Sequence, residues 1–435
     1  MIALVALLVA QAAPAQAAPA QAAPARSLTL QEAERVAQER QPQIKAARAG
    51  TEAAEARTIQ TRSGLLPQVA AAAGYERTTF NRVFRPGGVL TPSISPSIST
   101  VNFYSTSVAL TQLIWDFGLT HDRWRASQAS ARATADQERT TGQQVLFQLR
   151  VAFFNARAFK ELLAVARETL ANQRRHLVQI EGFVHAGTRP PIDLSQARAT
   201  TANAEVQVIN AANSYATSRA LLNQAMGVEG PIDYDVSTDA LPPQPGEDAA
   251  FDELLKIALA ARPEIATAAE QVRAQQLTIQ SAQGGYGPAL AAFGSFAQGN
   301  TDSHDFSWNL GAGVTLTWQI FQGGLTKGLV SEAEANLSFF VAQLDLLRQQ
   351  VRVDVEQALL AVRAAKAALA AARESLVSAR DRRSLAEGRY VNGSGSVIEL
   401  GDAETFDTTA AALVVQTDFQ LATARAQLVR ALGQP

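Results

Sequence analysis

Gly187-Thr188-Arg189-Pro190-Pro191-Ile192-Asp193-Leu194 is followed 206 residues later by Gly393-Ser394-Gly395-Ser396-Val397-Ile398-Glu399-Leu400. Each stretch runs from glycine through small, polar or proline residues into an aliphatic–acid–leucine triplet. That is the pattern of a tight turn opening into a helix. The same offset holds well beyond the turns. Leu110-Thr111, Ile114 and Gly118-Leu119-Thr120 match Leu316-Thr317, Ile320 and Gly324-Leu325-Thr326. Ala197, Leu222, Ala225 and Gly227 match Ala403, Leu428, Ala431 and Gly433. Nearer the N-terminus the offset is 221, pairing Pro42-Gln43-Ile44 with Pro263-Glu264-Ile265 and Pro67 with Pro288. The chain is two copies of one unit.

The change of offset places 15 extra residues between Pro67 and Leu110, in the Pro/Ser/Gly stretch from Pro86 to Thr100. From Gly118 to Gly227 no residue is gained or lost relative to the second copy. Loops tolerate insertion and registered helical pairs do not. Each unit therefore has one variable loop and one length-critical part.

The length-critical part reads as helix. From Leu344 apolar residues recur at 347, 351, 355, 358, 362, 365, 369, 372, 376 and 379, a heptad seam with one stutter. Gly118 and Gly187, and likewise Gly324 and Gly393, stand 69 positions apart with no proline between them, enough for roughly 100 Å of helix. Leu28 to Gly64 and Ile192 to Met226 are shorter helical stretches of 37 and 35 residues. Laid end to end they match one long helix, pairing with it half each. The turns at 187–191 and 393–396 then lie at a common far tip.

The opposite end reads as strand. Phe306, Trp308, Leu310, Ala312, Val314, Leu316, Trp318 and Ile320 alternate with Ser307, Asn309, Gly311, Gly313, Thr315, Thr317 and Gln319. Trp308 and Trp318 share the apolar face ten residues apart. On a tilted strand they are separated by roughly 25 Å along a membrane normal, the height of a lipid-facing band with an aromatic girdle at each edge. A half-buried strand of a soluble sandwich is the other reading of this alternation. Four strands cannot close a membrane barrel, and open edges are not tolerated in lipid. Strands of several copies must then be pooled.

The 435 residues carry no cysteine, a formal net charge of −2, and only 18% charged residues, against about 25% in ordinary soluble domains. The near-zero charge excludes a field for gathering nucleic acid. The absence of cysteine removes disulfides, thiolate metal sites, cysteine nucleophiles and cysteine lipid anchors. The charge deficit is local. Ser63 to Trp115 and Ala282 to Thr326 hold six charged residues in 98 positions. Outside these regions and the uncharged first 25 residues, 23% of positions are charged. The apolar run Ile2 to Ala10, followed by Ala-x-Ala repeats, reads as an export signal.

These readings divide the chain into a signal peptide (1–25), a first repeat (26–226), a linker (227–250) and a second repeat (251–435). The first repeat holds a helix, strands near 67–80 and 101–115, a long helix 119–186 and a return helix 192–226. The second holds a helix, strands near 288–299 and 305–321, a long helix 325–392 and a return helix 398–432. The linker is rich in Pro, Gly and Asp, and suits packing around the waist.

This arrangement resembles the TolC-type outer membrane efflux proteins, the outer membrane factors, from about Ser27 to Gly433. The two tip segments, the second extending to Gly401-Asp402-Ala403, carry the likeness most specifically. The resemblance implies an α+β membrane protein whose homotrimer forms a 12-stranded β-barrel continuous with a periplasmic α-helical barrel. It implies a cell outer membrane location with a long periplasmic part, anchorage in lipid by the barrel, and two partners, a periplasmic adaptor and an inner-membrane pump. Adaptor hairpins would dock on the tip turns at Gly187, Thr188, Arg189, Gly393, Ser394 and Gly395. Relatives carry acidic residues at the start of the second return helix, where Glu399 and Asp402 stand, ringing the entrance. Asp193 is the corresponding acid of the first tip. Acids at helix N-termini also serve as caps, and that reading stays open for all three. Opening would be a movement of the second hairpin, 362–407. The chain lacks the lipid-attachment cysteine of many relatives. It ends at Pro435, so no C-terminal addition to the equatorial belt is expected. Pro190-Pro191 stiffens the first tip.

Catalytic motifs are absent: there is no G-x-S-x-G, Walker A or dinucleotide fingerprint. His121, His176, His185 and His304 lack ligand spacing and read as surface or tip residues. Neither metal nor cofactor is expected. The 33 Arg against 5 Lys are dispersed between acids, as in helix pairing. The expected function is a passive exit duct of a tripartite efflux or type I secretion system. A soluble structural coiled-coil protein and a duct dedicated to protein secretion are the alternatives.

Overall fold

The computed structural model describes residues 26–79, 100–244, 246–300 and 307–434. The expected signal peptide, most of the variable loop, His304 and the start of the last strand (305–306) lie outside the described residues. In chain order the elements are β1 (Arg26–Leu28), α1 (Leu30–Arg40), α2 (Pro42–Ser63), β2 (Gln68–Thr78), β3 (Val101–Trp115), α3 (Leu119–His185), α4 (Pro191–Met226), β4 (Tyr234–Val236), α5 (Phe251–Ala261), α6 (Pro263–Gly284), β5 (Ala289–Asn300), β6 (Ser307–Thr317), α7 (Leu325–Val391) and α8 (Val397–Ala431).

The long helices α3 and α7 have 67 residues each, roughly 100 Å. The heptad seam is the buried stripe of α7, through Leu344, Val351, Val355, Ala358, Val362, Ala365, Leu369, Ala372 and Ala379. Leu347 and Leu376 on the same seam are half-buried. Alanine on this stripe lets α8 approach closely. α4 returns along α3, and α8 along α7.

The stretch Leu28–Gly64, expected as one helix, is broken. Pro42 opens α2, and its ring forces Gln41 into extended backbone at φ −61° and ψ 120°. Pro263 does the same to Arg262, at φ −70° and ψ 121°, and separates α5 from α6. Both breaks receive the end of a return helix. Gln41 Nε2 donates to the carbonyls of Gln224 and Ala225 at 3.1 and 2.9 Å. Arg262 Nε donates to the Ala431 carbonyl at 2.9 Å. Last-turn carbonyls that a helix leaves unpaired are thereby satisfied.

The inter-repeat segment is stitched to both repeats. β4 pairs in parallel with β1, over a core containing Leu149, Phe153, Phe154 and Leu222. Buried Glu247 accepts from Arg425 Nε and pairs with Lys366 Nζ, both at 2.7 Å. Buried Arg157 of α3 reaches Asp418 of α8 at 2.6 Å and the Asp239 carbonyl at 3.1 Å.

At the other end β2, β3, β5 and β6 form one antiparallel sheet in that order. Register decides its faces, because cross-strand partners share a side. Trp308, Leu310, Val314 and Leu316 lie opposite Gln298, Phe296, Ala292 and Leu290. Phe296 lies opposite Val108, and Val108 opposite Ala71. Leu110 lies opposite Val69. The large apolar residues of this face, Val69, Val108, Leu110, Phe296, Trp308, Leu310, Val314 and Leu316, are 41–69% exposed. The opposite face carries Ser105, Ser107, Thr111, Ser295, Asn309, Gly311, Gly313 and Thr315, with Phe293 as its one large exposed apolar residue among those described. A bulge between Leu113 and Trp115 sets Trp115 opposite Leu290 and so on the apolar face.

Candidate functional site: the joined tips and the aromatic-edged sheet

Each tip is a left-handed glycine closing a long helix. Gly187 has φ 72° and Gly393 φ 78°, a backbone that glycine adopts without penalty. The Thr188 N–H and Oγ1 both reach the Phe183 carbonyl, at 3.0 and 2.9 Å. The Ser394 and Gly395 N–H groups reach the Arg389 carbonyl at 3.0 and 2.9 Å. Pro191 then opens α4, while Ser396 caps α8 by accepting the Glu399 N–H at 3.1 Å. Ser396 and Glu399 occupy the two positions of a capping box.

The two tips are clasped together. Arg189 of the first tip lies over the Tyr390 ring of the second, 4.6 Å from its centroid. Its Nη2 donates to the Tyr390 carbonyl at 3.1 Å. Tyr390 is buried with Ile180, Ala197, Ala386, Leu400 and Ala403, and Phe183 meets it edge-on at 6.4 Å. Burial pushes the Tyr390 hydroxyl above its ordinary value; the Arg189 charge opposes this and the Asp193 charge adds to it.

The three tip acids occupy different surroundings. Glu399 is paired with Arg389 of its own hairpin at 2.9 Å. Asp402 is exposed, with no ion pair among the described residues. Asp193 is buried. Asp193 and Asp402 both line a cavity of about 510 Å³ between the hairpins.

His176 and Glu404 line the same cavity, and neither was singled out by sequence. His176 is no surface residue: it is largely buried on α3, and its Nε2 stands 2.7 Å from Glu404 Oε1 on α8. Gln173 Nε2 donates to the other Glu404 oxygen at 2.7 Å. The Glu404 interaction raises the His176 pKa, burial opposes the rise, and the Glu404 and Glu387 charges support it. Asp407, one turn on, pairs with Arg383. Comparison of the copies contains a signal for these acids, since Arg198 and Thr201 stand where the second repeat has Glu404 and Asp407.

Aromatic residues mark both ends of the sheet. Tyr75 and Tyr104, 5.3 Å apart, stand at the end that carries Trp308. Trp115, Phe117 and Trp318 stand at the helical end. Trp115 and Phe117 are 4.0 Å apart, and Trp318 Nε1 donates to the Tyr286 carbonyl at 3.1 Å. No described helix is long and apolar enough to cross a membrane.

A sheet with one exposed apolar face, continued by helices of roughly 100 Å that end in joined tips, defines an outer-membrane channel fold of the TolC type. The chain belongs to the outer membrane efflux protein family, which it matches over residues 34–228 and 254–434. It is 23% identical over 307 residues to the probable efflux pump outer membrane protein SepC of Pseudomonas putida, covering 69% of this chain and 61% of SepC. It is 24% identical over 399 residues to outer membrane protein OprJ of Pseudomonas aeruginosa, covering 88% and 79%. The chain therefore spans about three-fifths of the length of SepC, a curated relative. The fold is similar to that of the channel CusC with a TM-score of 0.80 at 18% identity, covering 97% of this chain and 99% of that one. The protein is an outer-membrane protein of a Gram-negative bacterium.

Proposed function

We propose that the chain is the passive exit duct of a tripartite efflux or type I secretion system. Three copies pool their strands into a 12-stranded β-barrel, and their helices into a periplasmic tunnel. One observation carries this reading: a four-stranded sheet has an apolar face across all its strands, yet among the described residues its outer strands β2 and β6 are paired on one side only. Open edges are costly in lipid, and joining β6 of one copy to β2 of the next removes them. A soluble coiled-coil protein has no use for that face. SepC is named as an efflux pump component, which supports the same reading.

Substrate enters between the tips, handed over by an inner-membrane pump through a periplasmic adaptor that docks at Gly187–Arg189 and Gly393–Gly395. Asp402 and Glu399, with Asp193 behind them, form the entrance, and opening separates the tips. No residue is assigned a catalytic role; energy comes from the partner. The test is detergent extraction of outer membranes, followed by gel analysis without heating and by planar-bilayer recording. A heat-resistant trimer with long-lived conducting steps is expected. An elongated soluble monomer without conductance overturns the reading.

A further inference from the structure

The polar face of the sheet exposes one large apolar side chain among the described residues, Phe293, at 42%. Its neighbours along β5 on that face are Ala291 and Ser295, and its partners on β3 and β6 are Thr111 and Gly313. The far end of the ring reaches over Gly313, where an added Cβ would lie 3.0 Å from Phe293 Cζ and 3.1 Å from Cε1. Glycine within a strand is unfavourable, and it often marks a bulge, a bend or a close approach. Gly313 has no positive φ, and its strand pairs with β5 in unbroken register. Its missing side chain makes room for the ring.

The repeat shows that the sheet does not require this pair. At offsets of 221 and 206 the first-copy equivalents of Phe293 and Gly313 are Ala72 and Ser107, and these two are cross-strand partners as well. A methyl and a hydroxymethyl group complete the same position there. Nor is burial the gain, because the ring stays exposed on the side away from the apolar band. Its neighbours on that face are all uncharged, so it has no ion to stack against. A ring held open on an uncharged wall offers its π-surface, and the solutes that suit a π-surface are other flat rings, by offset stacking. We infer that Phe293 is a cargo-contacting residue of the duct, a stacking platform for flat aromatic solutes that recurs once in each copy around the lumen. The inference rests on the duct reading, in which the polar face lines the lumen. Because the ring leans across the wall over Gly313, it is a contact point and not a gate.

The full-length protein in phosphatidylcholine nanodiscs is titrated into pyrene tetrasulfonate, a flat aromatic solute that its charges keep out of lipid, and binding is read by fluorescence anisotropy. The double variant Phe293→Ala/Gly313→Ser installs the pair that the first copy already folds with, and single-channel recording checks that it still conducts. It should bind the probe about 2- to 10-fold more weakly than the wild type. Phe293→Leu should lose as much, because it is apolar without a π-face, whereas Phe293→Trp should keep the affinity. Wild-type protein that binds no probe, or variants that all bind it equally, overturn the platform. A separate pair tests the duct itself. The chain has no cysteine, so Phe293→Cys and Phe296→Cys each carry one thiol, on opposite faces of β5. A water-soluble maleimide bearing polyethylene glycol should modify position 293 and lower the conductance, and should spare position 296. If it does so while the probe affinities are equal, the platform is refuted and the duct stands. If it modifies 296 and spares 293, the lumenal face is misassigned and both readings fall.

Discussion

His176 Nε2 on α3 and Glu404 Oε1 on α8 stand 2.7 Å apart across the seam between the two hairpins. Each hairpin is held internally by its own heptad packing; between the hairpins, the apolar cluster around Tyr390 at the tips gives way to polar contacts farther along. Thr169 and Thr408 are bonded across the seam at 3.1 Å, and Gln173 reaches Glu404. The charged groups facing His176 are Glu404 from α8 and Glu387 from α7. Any separation of the tips breaks this pair.

The pair makes tip closure depend on pH. The folded-state pKa of His176 is raised above 6.5. Its stabilisation is therefore complete below pH 6.5 and is lost as pH rises through the raised value. A charge-assisted contact of this kind contributes about 1–2 kcal/mol. Opening probability in planar bilayers should rise as the pH climbs above 6.5 and through the raised value. His176→Gln should flatten that rise, with the open fraction raised at the acid end. An unchanged profile in the variant counts against the assignment.

The tip acids should not contribute equally to cation block. Arg389 already compensates Glu399 at 2.9 Å, whereas Asp402 is exposed and without an ion pair among the described residues. Asp402→Asn is expected to weaken divalent-cation block more than Glu399→Gln. Arg389→Ala should strengthen the block by releasing the Glu399 charge. Single-channel titration with a divalent cation measures all three, and equal effects of the two acid substitutions would show that Arg389 does not compensate Glu399 in the channel.

Arg189 is the expected determinant of tip closure on the first hairpin. Arg189→Ala removes a cation–π contact and a hydrogen bond to the Tyr390 carbonyl, together about 1–3 kcal/mol. Each 1.4 kcal/mol is about tenfold in a local opening equilibrium, so proteolysis within the tip turns should speed up by about 5- to 150-fold. Arg189→Lys should recover only part, because an ammonium lacks the planar fork that stacks on the ring and reaches a carbonyl. Full recovery by lysine would reduce the contact to simple charge.

Features visible in the sequence were those that repeat or alternate locally. The alternation around Trp308 and Trp318 marks one face of a strand because side chains follow a period of two. The heptads from Leu344 mark a buried stripe for the same kind of reason. Pro42 was equally visible. An N1 proline fits the helix that it opens but drives the residue before it out of the helical region, so the apolar pattern of Leu28–Gly64 alone does not reveal the break at Gln41. Arg189 and Tyr390 are 201 residues apart, and His176 and Glu404 are 228 apart. Such pairs are set by how hairpins pack, and no local period encodes them. The bulge at Trp115 was hidden likewise, since it exists only relative to β5. Glu399 and Asp402, three apart on one helical face, differ because Arg389 crosses a turn to reach only one of them.

Glu247 offers a last test, remote from the tip. Its carboxylate is 2% exposed yet is bonded to the Gln244 N–H, Arg425 and Lys366. Burial alone would raise its pKa, but those three partners outweigh it and hold the group below 4.5. Its stabilisation is therefore present above pH 4.5 and is lost as the pH falls through the lowered value. Glu247→Gln leaves Arg425 facing a neutral group in a largely dry site, which costs about 3 kcal/mol. The thermal midpoint of the variant should fall at pH 7, and the gap from wild type should narrow as both are acidified. The segment should also loosen, because Arg425 Nη1 bonds the Leu241 carbonyl at 2.7 Å and loses its main anchor. Faster hydrogen exchange across 241–250 and in the facing turn of α8, with the sheet and tips unchanged, is the expected pattern. A variant with wild-type exchange and melting would show that the linker is held by its β1–β4 pairing alone.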